Sequence, residues 1–279
     1  MFRFGTDLVT GKDFLIFHQI NHFSPNLSKV FVDQHFAFYV TALSGTPEQS
    51  LRWKRTLAAT NVALDMPVGH LYVTRYFPAE NKARVQQMVR NIVAAFSKRI
   101  DKLDSMAPAT RAQAQEKLKT LYVGMAYPDH WESTAALKVS PGDAFGNAVR
   151  AKQFNSAQQL ARLHQKVDRR AWAMPPQLVN ALNMPMHNAI VFPAAILQPP
   201  FFDPAALDAV NYDAIGATIG HEISHSFDDL GAQFDAQGRL RDWWSKKGLV
   251  HFQSASSKLM VQQSGQALYL APAGRGRVW

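Results

Sequence analysis

The chain has 279 residues, of which 47% are apolar and 18% charged, so it is long and apolar enough to form one large domain or two smaller ones. It contains no cysteine, which excludes disulfide scaffolds, thiolate zinc fingers and cysteine nucleophiles. Lys and Arg number 30 against 21 Asp and Glu, a net charge of +9. Because the basic residues are dispersed and accompany no nucleic-acid-binding motif, we expect no nucleic acid partner.

The N-terminal segment is apolar in part, but Asp7 and Asp13 interrupt it. It therefore lacks the continuous apolar region of an export signal. No apolar run in the chain approaches the ~20 residues that a membrane span needs. We expect neither an export signal nor a membrane span in this sequence.

Helical spacing of apolar residues dominates the first 170 residues. A first clear helix is predicted from Pro47-Glu48 to about Ala63, after a turn at Ser44-Gly45-Thr46. A second is predicted from Pro78, and apolar residues recur in it at steps of three and four. These residues are Val85, Met88, Val89, Ile92, Val93, Phe96 and Ile100. We interpret the stripe as core packing.

Two further helices are predicted before residue 170. One follows Pro108 through Ala114 and Leu118, with Glu116 and Lys117 on its solvent-facing side. The other runs over residues 144–167, where Phe145, Ala148, Val149, Leu160, Leu163 and Val167 supply two apolar stretches. We interpret these stretches as core packing too.

The pattern changes near residue 170. Pro175-Pro176 interrupts the helical spacing, and Ile190-Val191-Phe192 is a short strand candidate. Pro199-Pro200-Phe201-Phe202 predicts a rigid aromatic loop, and helical spacing returns from Ala214 to Asp228.

These changes predict two domains, residues 1–172 and residues 173–279. The first is a helical portion, and the second combines helices with a short β segment. The predicted fold class is therefore mainly α, or α+β over the whole chain.

The last predicted helix contains the motif His221-Glu222-Ile223-Ser224-His225. Histidines four residues apart lie one above the other on a helix, so both imidazoles can reach one ion. Glu222 is placed to accept a proton from water bound to that ion. Zinc suits imidazole ligands and lowers the pKa of a bound water to about 7. The motif therefore predicts one Zn²⁺ site with His221 and His225 as ligands and Glu222 as catalytic base.

A catalytic zinc needs three protein ligands and one open position. One known continuation of the motif places Gly three residues and His six residues after the second histidine. Those positions hold Asp228 and Gly231, so that pattern fails. The alternative solution takes a glutamate from a later helix.

Several blocks of the sequence match one peptidase family. Residues 188–202, NAIVFPAAILQPPFF, match a family segment almost letter for letter. Around the histidine motif the matching residues continue from Asn211-Tyr212 to Asp242-Trp243-Trp244, and residues 71–78 and 127–129 match upstream blocks. On these blocks, which span about residues 27 to 257, the chain resembles the neprilysin-type zinc metallopeptidases, family M13, and particularly their bacterial oligopeptidase-like members.

The resemblance implies a thermolysin-like zincin catalytic portion that hydrolyses peptide bonds of oligopeptides by attack of zinc-bound water. The family's substrate-gripping strand motif corresponds here to Asn180 and Ala181, followed by Leu182-Asn183 where the family has two aromatics. Ile196 and Phe201 match positions that line the apolar pocket for the residue after the scissile bond. Family members act in the periplasm or at the cell surface, which implies a cell-envelope or extracellular location.

The sequence also departs from the family. The third zinc ligand would be the Glu of a downstream E-x-x-x-D motif, but this chain contains no Glu after Glu222. The residues after about 258 match nothing in the family, and we interpret the chain as a fragment truncated at both ends or an out-of-frame reading. Asp228, Asp229, Asp242 and His251 are the possible substitute ligands. Because the family carries the same Phe-Asp-Asp without using it for metal, substitution is disfavoured.

Without the third ligand, we expect this chain to have little or no peptidase activity. The alternative is a non-catalytic remnant that binds peptides through the Asn180 strand or persists only as a folded domain.

Overall fold

The structure of the chain, a computed structural model, describes residues 7–103 and 106–270. Its helices are α1 (Leu8–Phe23), α2 (Lys29–His35), α3 (Arg52–Ala63), α4 (Asp65–Tyr76), α5 (Ala79–Asp101), α6 (Pro108–Lys119), α7 (Ala144–Ala161), α8 (Asp208–Asp213), α9 (Ile215–His225) and α10 (Lys246–Leu270). Its strands are β1 (Tyr122–Ala126), β2 (Leu182–Met184) and β3 (Ala189–Pro193). The prediction of a mainly α fold with a small β component is confirmed.

The described residues divide into two compact units, one within 1–69 and 130–167 and the other within 70–129 and 168–279. The second unit includes residues 70–129, which the sequence-based division assigns to the first domain. The division at residue 172 stays a prediction about the family's domains. Within the described residues, no helix is both long enough and apolar enough to cross a lipid bilayer.

The first unit contains α1 to α3 and α7, together with a π-helical segment, Phe36–Ala42. The helix predicted from Pro47 begins only at Arg52, because the backbone of Leu51 is not helical (φ −52°, ψ 144°). The predicted helix over 144–167 ends at Ala161. Its later apolar residues do not pack in a core as predicted, since Leu160 and Leu163 are 63% and 71% exposed.

The second unit is built on the long helix α5. Its predicted apolar stripe is confirmed as a packed face, because Val85, Met88, Val89 and Ile100 are all buried. This face packs on α6 and α9. The prediction that Lys117 of α6 faces solvent is wrong: its side chain is among the most deeply buried, at 1% exposure.

A three-stranded sheet completes the second unit, with the order β1-β3-β2. β1 runs parallel to β3, with Gly124 opposite Val191, and β2 runs antiparallel to β3, with Asn183 opposite Ile190. The strand predicted at 190–192 is confirmed, and all five residues of β3 are buried. β2 therefore lies at an edge of the sheet, beside α9.

Candidate metal centre

The candidate ligands lie in the last turn of α9, which ends at His225. Ile215, Ile219 and Ile223 are fully buried and set which face of the helix packs inward. Glu222 is adjacent to that face and only 8% exposed. His221 is exposed and His225 is partly exposed. The helix thus presents two imidazoles outward while it holds the glutamate at the boundary of the core.

The two imidazoles meet at their Nε2 atoms, which lie 3.0 Å apart. Two bonds of about 2.05 Å at a tetrahedral angle would place ligand nitrogens roughly 3.3 Å apart, so a small adjustment of the rings suits one ion. The candidate donor atoms of His221, Glu222 and His225 all lie within 4.8 Å of one another. In the described part of the chain, this is the cluster of metal-ligating side chains that the fold assembles.

The ring of His225 is oriented by Asp228, whose Oδ2 lies 2.6 Å from its Nδ1. A proton on Nδ1 satisfies this contact and leaves the Nε2 lone pair free for an ion. Partial burial raises the pKa of Asp228, but hydrogen bonds from the His225 ring and from the backbone N–H groups of Gly231 and Leu230 outweigh it. The pKa of the Asp228 carboxyl therefore lies below its ordinary value, and the carboxylate is anionic beside the imidazole.

Asp228 can reach His225 because α9 ends at His225, three residues earlier than predicted. The chain then turns back, and the second carboxylate oxygen of Asp228 accepts from the N–H of Leu230 at 3.1 Å and of Gly231 at 2.8 Å. Sequence reasoning gave Asp228 no role in orienting a histidine. The i,i+3 spacing from His225 was the available signal, but its meaning depends on where the helix ends.

The predicted substrate-binding residues differ in how much of each side chain is exposed. Asn180 is exposed just before β2, and its Oδ1 accepts from the N–H of Ala181 at 2.9 Å. Ile196 is only 6% exposed, whereas Phe201 is 38% exposed. The carbonyl of Phe201 accepts at 3.0 Å from the N–H of the first residue of α9, which attaches the aromatic loop to the beginning of that helix.

Two family models match the sequence, and both describe peptidase family M13. The N-terminal model matches residues 3–128 and the second model matches residues 180–269. The expectation that the residues after about 258 match nothing in the family is therefore wrong, because the family match continues to residue 269. The chain is 34% identical over 260 residues to the mouse protein membrane metallo-endopeptidase-like 1, covering 90% of this chain and 33% of that protein. It is 35% identical to the neutral endopeptidase of Lactobacillus helveticus, and the match covers 86% of this chain and 37% of that protein. The chain thus spans about a third of the length of these relatives.

Solved structures agree with the sequence matches. The zinc metalloprotease ZMP1 of Mycobacterium tuberculosis, solved in complex with an inhibitor, superposes with a TM-score of 0.80 at 42% identity, covering 87% of this chain and 36% of that one. PEPO of Lactobacillus rhamnosis superposes with a TM-score of 0.78 at 36% identity, and the match covers 84% of this chain and 37% of that chain.

Proposed function

This chain belongs to peptidase family M13, and from that premise we propose that it carries the metal-binding core of a zinc metalloendopeptidase acting on oligopeptides. The observation that supports this proposal is the pair of imidazole Nε2 atoms 3.0 Å apart, with the buried Glu222 between the two histidines in sequence. His221 and His225 would hold one Zn²⁺. The donor set fits, because neutral imidazole nitrogens and carboxylates are ligands that zinc prefers.

When bound, zinc supplies Lewis acidity, which polarises a peptide carbonyl and makes water more acidic. The protein's part in the reaction is to position groups and to transfer protons. The Glu222 carboxylate accepts a proton from the attacking water and passes it on to the leaving amine. The Glu222 carboxylate is in reach of the imidazoles, because the candidate donor atoms of His221, Glu222 and His225 lie within 4.8 Å of one another.

The substrate would bind along β2. This strand is at the edge of the sheet in the described structure, so one side of it offers backbone groups to an extended peptide. Asn180 and Ala181, just before the strand, would contact the substrate backbone. Phe201, more exposed than Ile196, would contribute most of the apolar surface for the substrate side chain.

A catalytic zinc needs a third protein ligand beside the two imidazoles. Its sequence has no Glu after Glu222, and Asp228 is engaged with Nδ1 of His225, on the side of the ring away from the Nε2 pair. We propose that this chain holds zinc weakly through two imidazoles and is impaired as a peptidase. The alternative function is a non-catalytic peptide-binding remnant of the family, and we propose a cell-envelope or extracellular location for either.

Metal content and turnover separate these functions. The purified chain is dialysed after zinc loading, its zinc is counted by mass spectrometry, and cleavage of an internally quenched peptide is followed with zinc added. Retained zinc and slow cleavage that Glu222→Gln abolishes support the zinc endopeptidase. Peptide binding without zinc and without cleavage supports the remnant. Cleavage that persists in Glu222→Gln contradicts the assigned role of Glu222.

A further inference from the structure

Lys117 is a buried cation with no role in the chemistry described above. It lies on α6 with 1% of its surface exposed. Its Nζ donates to the carbonyl oxygens of Gly231 and Phe234, each at 2.6 Å. The rings of Phe227 and Trp243 lie 5.9 and 5.7 Å from the same nitrogen. The ammonium group therefore fastens the segment after α9 to a separate helix.

The fastened segment is the one that orients a candidate metal ligand. The Gly231 N–H donates to Oδ1 of Asp228 at 2.8 Å, and Oδ2 of Asp228 contacts Nδ1 of His225 at 2.6 Å. Three short contacts thus lead from Lys117 to the imidazole, through Gly231 and Asp228. The backbone is closely packed at Gly231, because a Cβ added there would lie 1.9 Å from the carbonyl oxygen of His225.

We propose that Lys117 is a positioning residue of the metal centre: it holds the Gly231 backbone so that the Asp228 carboxylate meets Nδ1 of His225. The inference rests on the proposed function, because it assigns a purpose to the His225 geometry. Lys117 itself touches neither the imidazoles nor the substrate strand in the contacts described.

Burying the Lys117 ammonium costs free energy, and this cost indicates that the residue has a specific role. Desolvation lowers the pKa of Lys117 to about 8, although the charges of Asp235 and Asp228 act in the opposite direction. An apolar side chain of the same length would avoid that cost, but it would remove the shorter of two hydrogen bonds at each carbonyl. The Gly231 carbonyl also accepts from the Phe234 N–H, and the Phe234 carbonyl also accepts from Nε1 of Trp243, both at 3.1 Å. Lys117 contributes the link from α6 to both carbonyls.

Two readouts test the proposal. The first is the ¹⁵N signals of the His225 ring in metal-free protein, which report the tautomer that Asp228 stabilises. The second is the zinc dissociation constant from competition with a chromophoric chelator. The test variant is Lys117→Met, which keeps length and removes the donors. Lys119→Met is the matched control, because this lysine is exposed on the same helix. Val85→Ala, at a fully buried position of α5, controls for lost stability alone.

We expect Lys117→Met to mix the His225 tautomers and to weaken zinc binding on the order of 10- to 100-fold, the usual effect of losing an outer-shell partner. Both controls should keep the wild-type ring signals and affinity. If Lys117→Met behaves like Val85→Ala, losing only stability, the proposal is overturned. If wild type itself binds no zinc, the proposed function fails, and the metal-free ring signals alone decide the role of Lys117. Should Lys117→Met not fold, Lys117→Leu, which also removes the donors, takes its place with the same two outcomes.

Discussion

The side chain of Asn183 donates to the backbone carbonyl of Glu222 at 2.7 Å, and its Nδ2 also lies 2.9 Å from Oγ of Ser226. Asn183 is on the edge strand β2, whereas Glu222 and Ser226 lie in and just after the helix α9. The candidate substrate strand is thereby attached to the candidate metal helix by one amide. Asn183 stands where the family pattern has an aromatic residue, and this position makes polar contacts with α9 in this chain.

Removing this amide should loosen the strand from the helix. We expect Asn183→Ala to lower the free energy of unfolding by about 1–2 kcal/mol, because it removes two hydrogen bonds and leaves a partly buried carbonyl without a donor. Urea denaturation measures the change. Asn155→Ala, at an exposed position of α7, is the control and should stay within about 0.5 kcal/mol of wild type. Equal stability of the two variants would show that the amide contributes nothing to folding.

The carboxylate of Asp228 should matter for metal affinity more than for folding. Asp228→Asn keeps one oxygen for the N–H groups of Leu230 and Gly231 but removes the charge beside Nδ1 of His225. We expect zinc to bind roughly 10- to 100-fold more weakly, as measured by calorimetric titration. The exposed neighbour provides the control, since Asp229→Asn should leave affinity unchanged. Unchanged affinity in Asp228→Asn would remove Asp228 from the metal centre.

The sequence predicted those parts of the molecule that depend on local pattern. Spacing predicts the apolar stripe of α5 and the histidine motif of α9, and a short apolar run of β-branched and aromatic residues predicts the strand at 190–192. The stripe and the strand are confirmed as a packed helix face and a buried strand. Such local patterns suffice because the backbone fixes the helix period and because these residue types favour strands. The roles of the site residues remain predictions for experiment.

What the sequence did not predict depends on contacts between distant segments. Lys117 lies on a helix where its position alone indicates solvent, yet the carbonyls that bury it come from residues more than a hundred positions later. Asp228 acquires its contact with His225 only because α9 ends where it does. Leu160 of α7 shows the converse: its apolar spacing predicts a core position, but its side chain is 63% exposed.

The depressed pKa of Lys117 predicts how folding depends on pH. Desolvation lowers the pKa to about 8 in the folded chain from 10.5, so between these values the unfolded chain binds more protons and stability rises with pH. Below about pH 7 both states carry the proton and the contribution is constant. We expect the stability of wild type relative to Lys117→Met to be flat below about pH 7 and to increase from about pH 8 to about pH 10.5.

Denaturant unfolding of both proteins at several pH values measures this difference and cancels other groups that titrate in the same range. A relative stability that falls as pH rises would mean that the folded pKa of Lys117 lies above its ordinary value.

Two glycines near the metal centre should respond oppositely to the same substitution. At Gly231 a Cβ would lie 1.9 Å from the carbonyl oxygen of His225 and 2.6 Å from the carbonyl carbon of Ser226. Both are backbone atoms, so Gly231→Ala must shift the segment that carries Asp228. We expect it to lower the free energy of unfolding by about 2 kcal/mol or more and to weaken zinc binding.

At Gly220, inside α9, a Cβ meets nothing within 4 Å, so Gly220→Ala should stabilise the helix by about 0.5–1 kcal/mol. Thermal unfolding of the two variants and of wild type tests the expected loss and the expected gain of stability. A Gly231→Ala protein as stable as wild type would mean that the segment after α9 can accommodate a Cβ without strain.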